Sequence, residues 1–183
     1  SEQQEGFFNI PLTNISFIPL IVRDYMSNYY GPNDKLTVVA PDSGGVTRAR
    51  RLAKLLNDVD LAIIDKRRPK PNESVIMNII GNVEGRRCIL IDDLIDTAGT
   101  LCNAANALKE RGATEILVYC THPVLSGKAY ERLAETASID ELIVSDTIPL
   151  KEQLENIRVV SISQQLANAI ERIMNDCSMR ELV

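Results

Sequence analysis

The sequence predicts an α/β fold with a doubly wound, mostly parallel sheet, and two observations carry this prediction. Short β-branched apolar runs alternate with segments of helical spacing along most of the 183 residues. The apolar runs are nearly continuous, which is typical of parallel strands that are covered on both faces. Because an average domain has roughly 150 residues, we expect residues 1–183 to form a single domain.

Each predicted strand is a short run dominated by Ile, Leu and Val. In chain order these runs occupy residues 36–40, 61–64, 88–91, 116–120, 142–144 and 159–162. Apolar residues at helical spacing predict the helices, at residues 15–29, 46–56, 101–108, 127–137 and 164–175. Pro19 limits where the first helix can start, and Gly112 ends the third helix.

A basic segment that contains proline interrupts this alternation after the second strand. Its sequence is KRRPKPN, at residues 66–72. Proline removes backbone donors, so we expect this segment to project as a mobile loop. The β-prone run at residues 74–80 then predicts a small antiparallel element, so the fold should carry a flexible-loop and β appendage.

Composition and charge exclude several classes of protein. The net charge of -5 argues against coating duplex DNA or an anionic membrane, and the aromatic content of 4% argues against a base-stacking surface. No apolar run approaches the roughly 18 residues of a membrane span. Four dispersed cysteines and a single histidine supply too few ligands for a zinc site, and we expect buried, reduced thiols. The sequence thus predicts a soluble, cytoplasmic protein with no nucleic-acid or membrane partner.

The strongest chemical signal is residues 88–100, CILIDDLIDTAGT, in which a buried strand leads through acids into a small, hydroxyl-rich turn at a helix start. In an open α/β sheet, ligands bind beyond the carboxyl ends of the strands. A helix amino terminus offers unpaired N–H groups and a positive dipole to a phosphate. Ala98 and Gly99 allow close backbone approach, and the Thr97 and Thr100 hydroxyls add donors. This turn therefore predicts a phosphate cradle.

Asp92 and Asp93 stand at the predicted strand end. They could accept hydrogen bonds from vicinal sugar hydroxyls, or hold Mg²⁺ through intervening waters. A sugar phosphate would satisfy both halves of the site. The structural alternative is that the acids and threonines only cap a helix. Three acids within five positions exceed what one cap requires, so we favour the binding site.

The motif at residues 92–100, Asp-Asp-x-x-Asp-Thr-x-Gly-Thr, resembles the signature of the type I phosphoribosyltransferase fold. Further segments resemble, in order, the carboxyl-terminal half of the ribose-phosphate diphosphokinase (PRPP synthetase) family; they lie at residues 41–50, 57–58, 63–69, 78–81, 121–123 and 145–149. In that family an amino-terminal domain of similar fold supplies much of the ATP site. The resemblance implies transfer of the β,γ-diphosphoryl group of Mg-ATP to the C1 hydroxyl of ribose 5-phosphate, giving PRPP and AMP.

The resemblance also implies roles for individual residues. Asp92 and Asp93 match the pair that engages the ribose hydroxyls. Asp42 matches a Mg²⁺ ligand, and Lys66 and Arg68 match the catalytic residues of a flexible loop, where Arg68 also contacts substrate. The loop that holds the sugar 5-phosphate is matched by Asp96, Thr97, Ala98, Gly99 and Thr100. The family assembles into homo-oligomers, as hexamers, and the resemblance implies that this half alone is inactive.

Physical chemistry supports these roles but leaves simpler alternatives. A lysine point charge and an arginine fork can both follow negative charge on phosphoryl oxygens, although Lys66 and Arg68 could also belong to a solvated basic loop. Asp42 could be a helix cap. We interpret Arg48 as a surface or subunit-contact residue. Ala98 stands where many members of the fold have Gly, a minor change unless φ must be positive.

Two other functions stay open at this point. A phosphoribosyltransferase that consumes PRPP would share the phosphate loop, but residues 66–69 and 146–149 fit it poorly. The second alternative is a non-catalytic regulatory subunit associated with PRPP synthetase, which would bind effectors or the active enzyme. The presence of both Lys66 and Arg68 argues against that second alternative.

Overall fold

A computed structural model describes residues 2–67, 76–179 and 182. In this part of the chain the strands are β1 (Leu36–Ala40), β2 (Asp60–Arg67), β3 (Ile76–Ile80), β4 (Arg87–Ile95), β5 (Glu115–Pro123), β6 (Glu141–Ser145) and β7 (Ile157–Val160). The α-helices are α1 (Ile18–Asn28), α2 (Val46–Leu55), α3 (Gly99–Glu110), α4 (Ala129–Glu135) and α5 (Ser163–Met174), and a 3₁₀ helix spans Glu2–Phe7.

The strands form one sheet in the order β3-β2-β1-β4-β5-β6-β7. Among the strands of the described residues, only β3 runs antiparallel to its neighbour, and the other pairs are parallel. The predicted doubly wound, mostly parallel α/β fold is therefore confirmed. Pro19 lies in the first turn of α1, and Gly112 follows α3 with φ +85°, as the sequence analysis expected.

The sheet separates two apolar cores, and alternate residues of β4 enter opposite cores. Ile89 and Ile91 pack in the core under α1 and α2. Cys88 and Leu90 pack in the core under α3 and α4. A strand covered on both faces must be apolar at every position, which explains the unbroken apolar run of β4.

The end of β4 differs from the prediction, because the strand continues farther than its apolar run. Asp92 and Asp93 lie inside the strand, because pairing with β5 continues as far as Ile95 opposite Pro123. On its other side, β4 pairs with β1 only up to Leu90. The prediction that the acids follow the strand end was thus wrong for the β5 side of β4. On the β1 side they lie beyond the last pair.

The β2–β3 hairpin confirms the predicted antiparallel element and corrects one residue. Lys66 lies in β2 opposite Met77, not in a loop as we expected. The last pair of β2 with β1 joins Ile63 to Ala40, so β2 continues for four residues beyond β1. Arg68 and the rest of the predicted mobile loop, as far as residue 72, lie outside the described residues, as do residues 73–75.

The cysteines follow the prediction with one exception. Cys88, Cys102 and Cys120 are buried, but Cys177 is exposed because it follows the end of α5. Burial raises the pKa of the Cys88 and Cys120 thiols to about 12, so both are protonated at neutral pH. Within the described residues, no helix is both long and apolar enough to span a membrane.

Candidate functional site

The order of the strands creates a crevice between β1 and β4. The chain leaves β1 for β2 on one side and later returns to β4 on the other side. At such a switch point the loops after the two strands diverge, and open α/β sheets bind ligands there. Asp42 follows β1, and residues 96–100 follow β4. The topology therefore brings the predicted phosphate and metal residues to one edge of the sheet.

Residues 96–100, here called the phosphate loop, enter α3 without a polar cap. Ala98 occupies the N-cap position, and its methyl side chain has no atom that could accept a hydrogen bond from the first turn. The Asp96, Thr97 and Thr100 side chains are exposed. Because the first N–H groups of a helix lack partners within the helix, an anion can take the place of the missing cap.

Ala98 has φ +60° and ψ -7°, in the left-handed region. An L-residue other than Gly pays about 1–2 kcal/mol to adopt it. We expected alanine in place of glycine at position 98 to be a minor change unless φ had to be positive. Because φ is positive here, that expectation was wrong. Strain of this kind persists only where surrounding contacts hold the backbone in place, as they often do at ligand sites.

The carboxylates of Asp92 and Asp93 are held by Arg48, from the first turn of α2. Arg48 Nη2 lies 2.6 Å from Asp93 Oδ2, and Arg48 Nη1 lies 3.4 Å from Asp92 Oδ1. The Asp93 amide also donates to Asp92 Oδ1, at 2.9 Å. Burial and the adjacent Asp93 carboxyl raise the pKa of Asp92 to about 6, against the opposing charge of Arg48. A cation thus stabilises two acids that would otherwise repel each other.

Arg48 was not predicted from the sequence to contact the two acids. We interpreted it as a surface or subunit contact, yet its partners lie in the crevice. Arg48 and Asp92 are 44 positions apart, and no local pattern connects them. Only the packing of α2 beside β4 brings them together.

Asp42 lies in the turn between β1 and α2. Its Oδ1 accepts a hydrogen bond from the Gly45 amide at 3.0 Å, so the structural alternative is partly realised. The side chain stays exposed. Among the described residues, no group of three or more His, Cys, Asp or Glu could hold a metal. A lone carboxylate fits Mg²⁺, which is commonly bound by one or two carboxylates together with waters and substrate phosphates.

Lys66 lies on the part of β2 that extends beyond β1, at the carboxyl edge of the sheet. Its side chain is half-buried. The structure thus places Lys66 at the same edge as the acids and the phosphate loop. The prediction for Arg68 lies outside the described residues.

The phosphate loop is held from behind by the connection from β5 to α4 and by α4 itself. Ser126 Oγ donates to the Asp96 carboxylate, and Arg132 Nη1 donates to the Thr97 carbonyl at 2.7 Å. Neither residue was predicted from the sequence to take part in the site. His122, whose role the sequence left open, pairs in register with Leu94 and has its Nδ1 3.0 Å from Thr147 Oγ1.

Curated relatives of this chain include two bacterial ribose-phosphate pyrophosphokinases. That of Marinomonas sp. (strain MWYL1) is 52% identical over 182 residues, and that of Bordetella pertussis (strain Tohama I) is 54% identical over 185 residues. These alignments cover 98% and 100% of this chain, but 56% and 58% of the relatives. The chain thus spans a little more than half the length of the curated relatives it matches.

Two solved structures share this fold. The phosphoribosylpyrophosphate synthetase of Mycobacterium smegmatis matches with a TM-score of 0.86 at 36% identity, over 96% of this chain and 56% of that one. The purine phosphoribosyltransferase of Pyrococcus horikoshii Ot3 matches with a TM-score of 0.51 at 21% identity, over 79% of this chain and 83% of that one. The second likeness concerns the fold alone. Together they confirm the predicted phosphoribosyltransferase-like architecture.

The phosphoribosyl synthetase-associated domain matches residues 58–183, which include the phosphate loop and the acid pair. This match agrees with the resemblance found in the motifs. The chain belongs to the phosphoribosyl synthetase-associated domain family.

Proposed function

We propose that this chain carries the ribose 5-phosphate site and the catalytic lysine of a ribose-phosphate diphosphokinase. The complete enzyme would transfer the β,γ-diphosphoryl group of Mg-ATP to the C1 hydroxyl of ribose 5-phosphate. The observation that carries the proposal is the juxtaposition of an uncapped helix start with a pair of acids at one sheet edge. The names of the relatives support this choice of reaction.

Each half of the site fits one end of ribose 5-phosphate. The amides and hydroxyls of the phosphate loop suit the 5-phosphate, because they are donors at the positive end of α3. Asp92 and Asp93 supply acceptors for the vicinal ribose hydroxyls. Arg48 would hold these two carboxylates in position, and its charge opposes the rise of the Asp92 pKa.

The transfer requires charge compensation at the phosphoryl group. The C1 hydroxyl oxygen attacks the β-phosphorus, the bond to the α,β-bridging oxygen breaks, AMP leaves and the hydroxyl proton is released. Lys66 and Arg68 would bind the phosphoryl oxygens as charge builds on them. Asp42 would hold Mg²⁺ together with the substrate phosphates, and Mg²⁺ would neutralise phosphate charge there.

An activity assay on the full-length protein tests the proposal. With ATP and ribose 5-phosphate, we expect AMP to form in equal amounts with PRPP, and no AMP to form when ribose 5-phosphate is omitted. Release of diphosphate from PRPP that depends on an added base, without AMP formation, would instead identify a phosphoribosyltransferase. If the protein made no PRPP but copurified with an active diphosphokinase, the regulatory alternative would replace our proposal.

Several expectations stay predictions beside this one. They are the single domain over residues 1–183, the homo-oligomer, the cytoplasmic location, and the inactivity of this chain without an amino-terminal domain. The lack of synthesis by the chain alone can be measured in the same assay. A separate titration should show that this chain still binds ribose 5-phosphate.

A further inference from the structure

Three consecutive carbonyl groups, from the end of β4 into the phosphate loop, accept hydrogen bonds from the β5–α4 connection and from α4. The Leu125 amide donates to the Ile95 carbonyl at 3.0 Å, and the Ser126 amide donates to the Asp96 carbonyl at 2.9 Å. Arg132 Nη1 then donates to the Thr97 carbonyl at 2.7 Å. We call Leu125, Ser126 and Arg132 the clamp. Its contacts hold three successive carbonyls toward the β5–α4 connection and α4.

The geometry of the peptide bond converts this arrangement into an anion site. In a trans peptide, the C=O of one residue and the N–H of the next point in opposite directions. The N–H groups of Asp96, Thr97 and Ala98 must therefore point away from the clamp. Because β1 and β5 flank β4 on opposite sides, we infer that this direction leads toward the crevice between β1 and β4.

Ala98 keeps a backbone conformation that alanine ordinarily avoids, and this conformation depends on the orientation of the Thr97–Ala98 peptide. Rotating the Thr97–Ala98 peptide would let Ala98 reach a negative φ, but it would also turn the Thr97 carbonyl toward the crevice. Ala98 instead stays at φ +60°. The hydrogen bond from Arg132, a charged donor, is strong enough to offset a strain of this size.

The clamp itself is anchored in the core. Leu125 is 2% exposed and packs in the core under α3 and α4. It too has a positive φ, +46°, which is costly for a branched residue. The guanidinium of Arg132 also lies beside the start of α3, since a Cβ built on Gly99 would be 3.5 Å from its Nη1. A rigid support therefore stands behind the loop.

We propose that Arg132 is a positioning residue that holds the Thr97–Ala98 peptide with its N–H toward the 5-phosphate. This inference rests on the proposed function for the identity of the sugar phosphate, although the orientation of the loop concerns any phosphate bound there. Arg132 acts through the backbone and need not touch the substrate.

The test measures ligand binding to the full-length protein and to its Arg132→Ala variant. Ribose 5-phosphate and inorganic phosphate are titrated separately, and the backbone amide signals of residues 96–100 are followed by NMR. We expect Arg132→Ala to weaken both ligands by about tenfold, the effect of losing one charge-assisted hydrogen bond at an exposed position. Arg132→Lys, which keeps a cationic donor, should recover part of the affinity. Arg111→Ala, at an exposed arginine after α3, is the matched control and should bind as the unmodified protein does.

A second variant separates peptide orientation from simple loss of charge. Without Arg132, alanine at position 98 favours the rotated peptide, whereas glycine has no such preference. Adding Ala98→Gly to Arg132→Ala should therefore restore binding by several-fold. If Arg132 acted only through its charge, glycine at this position would restore nothing, and the positioning role would be refuted.

The two ligands keep this inference distinct from the proposed function. Unchanged binding of both ligands by Arg132→Ala would overturn the positioning role and leave the proposed function intact. If the unmodified protein bound phosphate at the loop but not ribose 5-phosphate, the proposed function would fall, and the phosphate titrations would still decide the role of Arg132. Failure of both ligands to shift the amides of residues 96–100 would overturn both.

Discussion

Lys66→Ala in the full-length protein is expected to lower the turnover number by roughly 10²–10³ or more, the usual cost of removing one donor that stabilises transition-state charge. Lys66 lies on the extension of β2 beyond β1, at the edge that carries the acids and the phosphate loop. A compact ammonium there can follow the phosphoryl oxygens as charge builds on them. The Km for ribose 5-phosphate should change little, because the loop and the acid pair that we propose to bind this substrate are untouched.

Steady-state formation of AMP from ATP and ribose 5-phosphate measures this effect. Lys54→Ala is the matched control, since Lys54 is an exposed lysine in the last turn of α2. Lys66→Arg keeps a cation and should retain more activity than Lys66→Ala. Near-normal turnover of Lys66→Ala would refute the catalytic role and favour a solvated basic segment.

Arg158→Met is expected to lower the free energy of unfolding by about 2–3 kcal/mol at neutral pH, because it removes a bidentate, charge-assisted partner from a largely buried carboxylate. Arg158 Nη1 and Nη2 bind the two oxygens of Asp24 at 2.7 and 2.8 Å, and Arg158 Nε binds Glu141 Oε1 at 2.7 Å. The Asp24 side chain is only 9% exposed and also accepts a hydrogen bond from the Tyr119 hydroxyl at 2.8 Å. This network joins α1 to β5, β6 and β7, so its loss affects the whole sheet.

The destabilisation should depend on pH in one direction. Burial alone would raise the pKa of Asp24, but hydrogen bonds from Arg158 and Tyr119 and the charge of Arg158 bring it below 3.8. A depressed pKa stabilises the fold above the unfolded value and loses this contribution as the pH falls through the native value. The difference between Arg158→Met and the unmodified protein should therefore shrink below about pH 4.

Urea unfolding at several pH values checks both statements. Arg111→Met, at an exposed arginine, serves as the control and should change stability by less than about 0.5 kcal/mol. Adding Asp24→Asn to Arg158→Met removes the unpaired charge, so the double variant should regain part of the loss. A cost under about 1 kcal/mol for Arg158→Met would show that the pair behaves as an exposed ion pair.

Much of the site could be read from local sequence. One apolar run is followed by the acids at positions 92 and 93 and by the small turn at 97–100. The residue types alone predict hydrogen-bond acceptors in the acids and a phosphate cradle in the turn. The order of the strands and helices could also be predicted, because apolar residues are spaced differently in a buried strand and in an amphipathic helix. The strand ends were less accurate, because β4 continues as long as β5 pairs with it.

The sequence by itself determined the α/β class, the phosphate loop and the acid pair, since each depends on residues close together in the chain. The tertiary structure decided which arginine side chains contact the acid pair and the phosphate loop. Arg48 reaches Asp92 across 44 positions, and Arg132 reaches Thr97 across 35. It also decided that Ala98 adopts a positive φ. The physical reason is that a side chain's partner, and a backbone strain, depend on which elements pack together, and no local periodicity records that packing.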